Sequence, residues 1–155
     1  MIEQRTQAYG LLLLRLTLGS LFIAHLYWKF AILPGGVVRW WSGLEASGYP
    51  WFVPWYVMSA EFAGAILLIP GICTRWVSLF CLPVMIGAAQ FWLVRKGFYF
   101  TSAGGELPVI WGILLLVQAL VGDGPYAVKT GVFFNGRHTQ ARESGASTER
   151  RPKIA

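Results

Sequence analysis

The sequence predicts an all-α membrane protein, a four-transmembrane-helix bundle with both termini in the cytoplasm and an interfacial helix in the first outer loop. Three observations support this fold class. The 155 residues are 55% hydrophobic and only 13% charged, whereas soluble domains average roughly 45–50% apolar and about 25% charged residues. The apolar residues fall into four long stretches, and the basic residues concentrate on one predicted side. This composition argues against a soluble enzyme and excludes disorder for most of the chain.

The four apolar stretches predict helices over residues of about 8–31, 52–70, 75–94 and 106–121, within one membrane domain over residues 1–134. A spanning helix needs about 20 apolar residues, so the fourth stretch is near the lower limit. The first is too long for a cleaved signal peptide and lacks a small-residue cleavage site. Pro70 and Gly71 end the second helix and Thr74 is the predicted N-cap of the third, which indicates a tight helical hairpin.

The distribution of Lys and Arg predicts the orientation, because cytoplasmic loops are enriched in both. With both termini inside, the cytoplasmic side carries eight of these residues and the outer side four. Five of the eight lie in residues 135–155, a polar segment that we predict to be a flexible basic cytoplasmic tail. The +6 net charge therefore indicates topology, with attraction to anionic lipid as the alternative. Nucleic-acid binding is not predicted, because no folded basic module accompanies the charge.

Aromatic residues concentrate towards the predicted outer side. The loop over residues 32–51 contains apolar residues from Val37 to Leu44 that share one helical face, which predicts a short helix on the outer leaflet. Seven of the eight tryptophans lie in this loop or in the outer half of the bundle. An aromatic belt explains many of them. The asymmetry also favours an outward-facing pocket or partner surface, with three candidate binding residues: Trp28, Trp55 and Trp92.

Ionisable residues occur inside two predicted spans, where they usually face the bundle interior or water. Arg15, His25 and Lys29 fall within a stripe of about 80° on the first helix. Glu61 lies near the middle of the second helix. Helical rise leaves about 6 Å between Arg15 and Glu61 along the bilayer normal. We therefore predict that these two residues pair, and that His25 and Lys29 continue a polar column towards the outside.

Two interpretations of this column remain open. In the structural one, Arg15 extends to the cytoplasmic interface and Lys29 to the outer interface of the membrane, while Glu61, neutral or paired, holds the packed helices together. In the functional one, Glu61 and His25 exchange protons with a bound headgroup, and the two cations contribute to binding. Glu106 either stabilises the positive end of the fourth helix or joins the outer end of the column near Lys29.

The other polar residues point to architecture. Gln90 and Gln118 are predicted to form hydrogen bonds between helices. A helix places Cys73 and Cys81 about 12 Å apart, which is too far for a disulfide. The second histidine, His138, lies in the tail, so no metal or haem site is predicted. No glycine-rich phosphate loop or nucleophile motif occurs, and the residues alone indicate no cofactor.

Several short motifs occur in a specific order and spacing. They are LLLLRLTLG and AHLYWK in the first helix, GYP in the outer loop, AEFAGAILLIPGICTR in the second helix and its turn, GFYF and AGGELP before the fourth helix, and GDGPYAVK after it. In this combination, over residues 10–128, the chain resembles the DoxX family of small four-helix bacterial membrane proteins. It differs at two places. Leu93 stands where many members have a histidine, and Gly105 directly precedes Glu106 where members often have an extra residue.

The resemblance implies a multi-pass protein of the bacterial inner membrane that is associated with redox systems. Some relatives are small subunits of thiosulfate:quinone oxidoreductases or terminal oxidase complexes. The leading hypothesis is therefore an accessory or quinone-interacting subunit, enzymatic only as part of a membrane oxidoreductase, with quinone as its candidate ligand. Candidate partners are the lipid bilayer, a membrane or periplasmic redox protein and a second copy of the chain. The alternatives are a small-solute transporter and an assembly partner without catalytic activity.

Overall fold

Every regular element within residues 2–128, the part of the chain that the computed structural model describes, is a helix. The all-α part of the prediction is thereby confirmed. The predicted tail over residues 135–155 lies outside the described residues. The five α-helices are α1 (Ile2–Tyr27), α2 (Gly36–Ala46), α3 (Phe52–Leu67), α4 (Thr74–Lys96) and α5 (Glu106–Val121). A π-helical turn (Trp28–Ile32) extends α1, and a short 3-10 turn (Phe100–Ser102) precedes α5.

The helices differ in their capacity to cross a bilayer. The segments Arg5–Ile32 and Thr74–Lys96 are long and apolar enough to span a membrane, whereas α3 and α5 are shorter apolar helices. With 16 residues each, α3 and α5 extend about 24 Å at the α-helical rise. α5 covers the predicted residues, while α3 ends three residues before the predicted position at residue 70. The helix predicted in the outer loop is α2.

The four longer helices pack in the cyclic order α1, α3, α4, α5, so that each contacts mainly two others. The centre is filled by fully buried apolar side chains, including Leu18, Phe22 and Leu115. Phe22 lies directly against Gly64 of α3, where any side chain would collide with its ring. Small residues at such contacts let helices approach closely and gain van der Waals packing, which drives helix association in lipid.

The segment after α5, residues 122–128, lies across the end of the bundle where the α3–α4 turn is found; we call it the closing segment. Its Asp123 carboxylate accepts hydrogen bonds from Thr74 N at 2.7 Å and from Thr74 Oγ1 at 2.6 Å. α4 therefore begins at Thr74 and is capped by Asp123, so the prediction that Thr74 is itself the N-cap is wrong. The residue before the helix is Cys73, in a left-handed conformation with φ of 49°.

Two further contacts hold the closing segment in place. Tyr126 stacks on Tyr9 of α1 with ring centroids 5.6 Å apart. The Val128 amide donates a hydrogen bond of 2.9 Å to the carbonyl oxygen of Pro70. The closing segment thus connects α1, the α3–α4 turn and α5 at one end of the bundle.

Candidate functional site

The centre of the candidate site is an ion pair between Lys29 and Glu61. Lys29 Nζ lies 2.7 Å from both carboxylate oxygens of Glu61. Each side chain is only 3% exposed. Among residues 5–128, whose side chains the structure describes, this is the one ion pair. A single bidentate contact thus neutralises two charges inside the helical bundle.

The local backbone places Lys29 at this position. Lys29 belongs to the π-helical turn that ends α1, in which the Leu33 amide donates a hydrogen bond of 2.8 Å to the carbonyl oxygen of Trp28. A π-turn is wider than an α-turn, and such turns are frequent at functional sites. Glu61 lies in the middle of α3 and is buried. The pair therefore joins the end of α1 to the adjacent helix.

Helix α2 covers the pair with an indole ring. Lys29 Nζ lies 3.8 Å from the centre of the Trp40 ring, a cation–π distance. The next residue, Trp41, packs edge-on against Trp55 of α3 at 4.8 Å and donates a hydrogen bond to Glu45. The sequence pattern places Trp40 on the apolar face of α2 and does not predict this contact. The sequence feature that could have indicated this contact is the presence of a tryptophan in the loop that directly follows Lys29.

Arg15 does not take part in this pair, so the predicted Arg15–Glu61 interaction is wrong. Arg15 is buried, at 1% exposure, beside Gly71 in the α3–α4 turn. Glu61 lies six residues, or about 9 Å, before the end of α3. The prediction estimated the depth of Glu61 in the bilayer by taking Phe52, the first residue of α3, as the outer edge of the hydrocarbon core. Arg15 Nε and Nη1 have no hydrogen-bond partner among the described residues, and Asp123 is the carboxylate that attracts Arg15 electrostatically.

His25 lies one turn before Lys29 on α1, but at the surface of the bundle. Its ring meets the ring of Trp111 on α5 edge-on, with centroids 5.0 Å apart. The expectation that His25 points inwards is therefore wrong. The predicted stripe spans about 80° of the helix surface, and His25, at one edge of it, faces α5. Trp111 was not among the predicted site residues. It is 7% exposed, and its Nε1 has no acceptor in the described part of the chain.

The remaining predicted site residues lie away from the ion pair. Glu106 is in the first turn of α5 and accepts a hydrogen bond of 2.9 Å from the Phe100 amide. It does not pair with Lys29, so the interpretation as a helix-terminus carboxylate fits better. The three predicted binding tryptophans are exposed and do not converge on the pair: Trp28 at 43%, Trp55 at 64% and Trp92 at 38%.

A second group of buried polar residues lies near the closing segment. Gln118 Nε2 donates to Thr74 Oγ1 at 3.2 Å and to the carbonyl oxygen of Gly122 at 2.7 Å. The prediction that Gln118 forms a hydrogen bond between helices is confirmed. Gln90 is exposed on α4 and makes no side-chain hydrogen bond to a described residue. Among the described side chains of residues 5–128, no group of three or more His, Cys, Asp or Glu residues could hold a metal ion.

All regular elements within residues 2–128 are helices, and two of these segments are long and apolar enough to cross a membrane, a combination typical of membrane proteins. A family model for DoxX matches residues 10–95. The chain therefore belongs to the DoxX family, as its motifs predict. The match includes seven of the eight predicted site residues: Arg15, His25, Trp28, Lys29, Trp55, Glu61 and Trp92. It ends before α5, so the similarity over residues 96–128 stays a prediction. No match was found among curated proteins or among solved structures.

Proposed function

We propose that this DoxX-family protein is a quinone-interacting accessory subunit of a redox system in the bacterial inner membrane. The observation that carries this proposal is the buried Lys29–Glu61 pair, with His25 one turn away on α1. Charges within membrane-spanning segments are costly and usually mark ligand or proton sites. A well-packed apolar pair would serve stability equally well or better. The buried ammonium–carboxylate pair therefore favours a role in binding or proton transfer over a purely structural role.

The proposed topology has four crossings, made by α1, α3, α4 and α5, with both termini in the cytoplasm. The cyclic packing of these helices supports it. α3 and α5 are short for a hydrocarbon core of about 30 Å, and local thinning or flanking residues would accommodate the difference. In this arrangement α2 lies on the periplasmic side and the closing segment on the cytoplasmic side. Trp40 then covers the ion pair from the periplasmic side.

The residues present fit a quinone as ligand. Quinone and quinol differ by two electrons and two protons, and a bound quinone would supply the redox chemistry. The chain supplies groups that hold or move protons: the Glu61 carboxylate, the Lys29 ammonium and the His25 imidazole. His25 precedes Lys29 by four residues along the chain, about one helical turn. Electrons would be exchanged with a partner redox protein.

The experiment that tests the proposal is gentle detergent purification, followed by mass spectrometry of co-purifying proteins, lipids and quinones. The test variant is Lys29→Gln/Glu61→Gln, which removes both charges without leaving one unpaired. The matched control is Glu45→Gln, which removes a carboxylate on α2 whose one hydrogen bond within the described residues comes from Trp41. We expect wild type and the control to retain quinone, and the double variant to lose most of it.

Two outcomes would count against the proposal. Wild-type protein that purifies without quinone and without a redox partner contradicts it directly. Liposomes in which wild type carries a small solute, and the double variant does not, would instead favour the permeation alternative.

A further inference from the structure

An apolar groove lies on the bundle surface between α4 and α5, and we call it the α4–α5 groove. Its volume is about 580 Å³, and it extends from Leu82 to Val94 on α4 and from Pro108 to Leu116 on α5. Its length along α4 is therefore about 18 Å. α4 is long and apolar enough to cross a membrane, so in the proposed topology the groove opens towards lipid.

Gln90 is the one polar side chain among the residues that line this groove. It is exposed on α4 and makes no side-chain hydrogen bond to a described residue. It lies six residues, or about 9 Å, before the end of α4 at Lys96. With α4 across the bilayer, the amide faces hydrocarbon, where an unpaired polar group is costly and a glutamine forms hydrogen bonds to another helix. The bundle itself leaves that second helix unassigned.

Symmetry favours a second copy of the chain as the source of that helix. Copies of one chain insert into the membrane in the same orientation, so Gln90 lies at the same depth in each. A two-fold axis along the bilayer normal therefore brings Gln90 opposite the same residue of the second copy. A carboxamide both donates and accepts hydrogen bonds, so the two side chains satisfy each other with two reciprocal bonds.

The backbone next to Gln90 allows the two copies of α4 to approach closely. Gly87 lies three residues before Gln90, on the same face of the helix. A Cβ at Gly87 would meet no atom within 4 Å among the described residues outside the adjacent turns of its own helix. Packing within one copy therefore does not require a glycine there. Small residues on a membrane helix are typical of contacts between helices, because they let two backbones come together.

We propose that the α4–α5 groove is the contact surface of a symmetric dimer, in which α4 of one copy packs against α4 of the other at Gly87 and Gln90. The two amides exchange hydrogen bonds. The exposed side chains of Ile86 and Val94 from each copy fill the apolar groove of the other. This inference rests on α4 crossing the membrane as proposed above, and it requires neither a quinone nor a redox partner.

The test uses the full chain in lipid vesicles, with donor and acceptor dyes on the exposed Cys73 of separate copies. Energy transfer at increasing protein-to-lipid ratio measures the dissociation constant of the dimer. Gln90→Leu removes the amide and should weaken association about tenfold, the effect of two lost hydrogen bonds between membrane helices. Gly87→Leu should weaken it at least as much, because the new side chain separates the two backbones. The matched control is Gly10→Leu, at a glycine of α1 with equally open surroundings, and it should associate as wild type does.

A cross-linking experiment locates the contact independently. In a Cys73→Ser background, Gln90→Cys should give a disulfide-linked dimer on oxidation, since the two positions face each other across the two-fold axis. Ile23→Cys, at an exposed position of α1, should give none. This result also decides the case in which Gly87→Leu does not fold.

Two outcomes would overturn the dimer. The first is wild-type protein that stays monomeric at high protein-to-lipid ratio, with phospholipid as the occupant of the groove. The second is a wild-type dimer whose dissociation constant is unchanged in the folded Gln90→Leu and Gly87→Leu variants, or one that cross-links through Ile23→Cys. Both would leave the proposed quinone function standing, whereas a dimer that purifies without quinone and without a redox partner would overturn that function and leave the contact surface intact.

Discussion

Replacing Glu61 by Gln tests whether the ion pair is as sealed as its geometry indicates. The substitution keeps the size of the side chain but leaves Lys29, whose side chain is 3% exposed, without a counter-charge. Removing one partner of a buried pair typically costs about 3–5 kcal/mol. The Trp40 ring offers the ammonium a residual interaction of about 0.5–2 kcal/mol. We therefore expect Glu61→Gln to lower the free energy of unfolding by about 2–4 kcal/mol.

The assay is equilibrium unfolding in detergent micelles, followed by circular dichroism. Two variants make the result specific. Lys29→Gln/Glu61→Gln removes both charges and should recover most of the loss, because no charge is left unpaired. Glu45→Gln changes an exposed carboxylate and should stay within about 0.5 kcal/mol of wild type. A Glu61→Gln variant as stable as the control would refute the reasoning, since it would mean that water or lipid headgroups reach the Lys29 ammonium.

Two further predictions concern the end of the bundle near the closing segment. Gly71→Ala should destabilise the protein by about 2 kcal/mol or more, because φ is 82° there and a Cβ would collide with the Arg15 guanidinium. Gly43→Ala, in α2 with open space around it, should have no such effect in the same thermal melts; equal losses would contradict the assigned contact. In right-side-out vesicles, a membrane-impermeant maleimide should label the exposed Cys73 only after permeabilisation, and should leave the buried Cys81 unlabelled. Labelling of Cys73 in intact vesicles would reverse the proposed topology.

The helices could largely be predicted from the sequence because their ends are marked locally. The start of α5 at Glu106 follows a Gly-Gly pair, and its end precedes Gly122. Similarly, the helical spacing of the apolar residues from Val37 to Leu44 predicted α2 within the loop that follows the first helix. Such signals depend on a few neighbouring residues, so a single chain is enough to find them.

The partners of the charged residues could not be predicted in the same way. Helical periodicity placed Arg15, His25 and Lys29 on one stripe, but pairing depends on the relative depth of two helices. Glu61 meets Lys29, whereas Arg15 lies beside Gly71 in the α3–α4 turn, and this relative depth of α1 and α3 has no clear sequence signal. Trp111 was missed for another reason, since tryptophans near a membrane surface are usually explained by an aromatic belt.

The cap that Asp123 places on Thr74 has a consequence for the biogenesis of the protein. The two residues are 49 positions apart, and the whole of α4 and α5 is synthesised between them. The first amide of α4 therefore acquires its carboxylate partner only after α5 has been synthesised. Closure of this contact thus reports that all four long helices are in place.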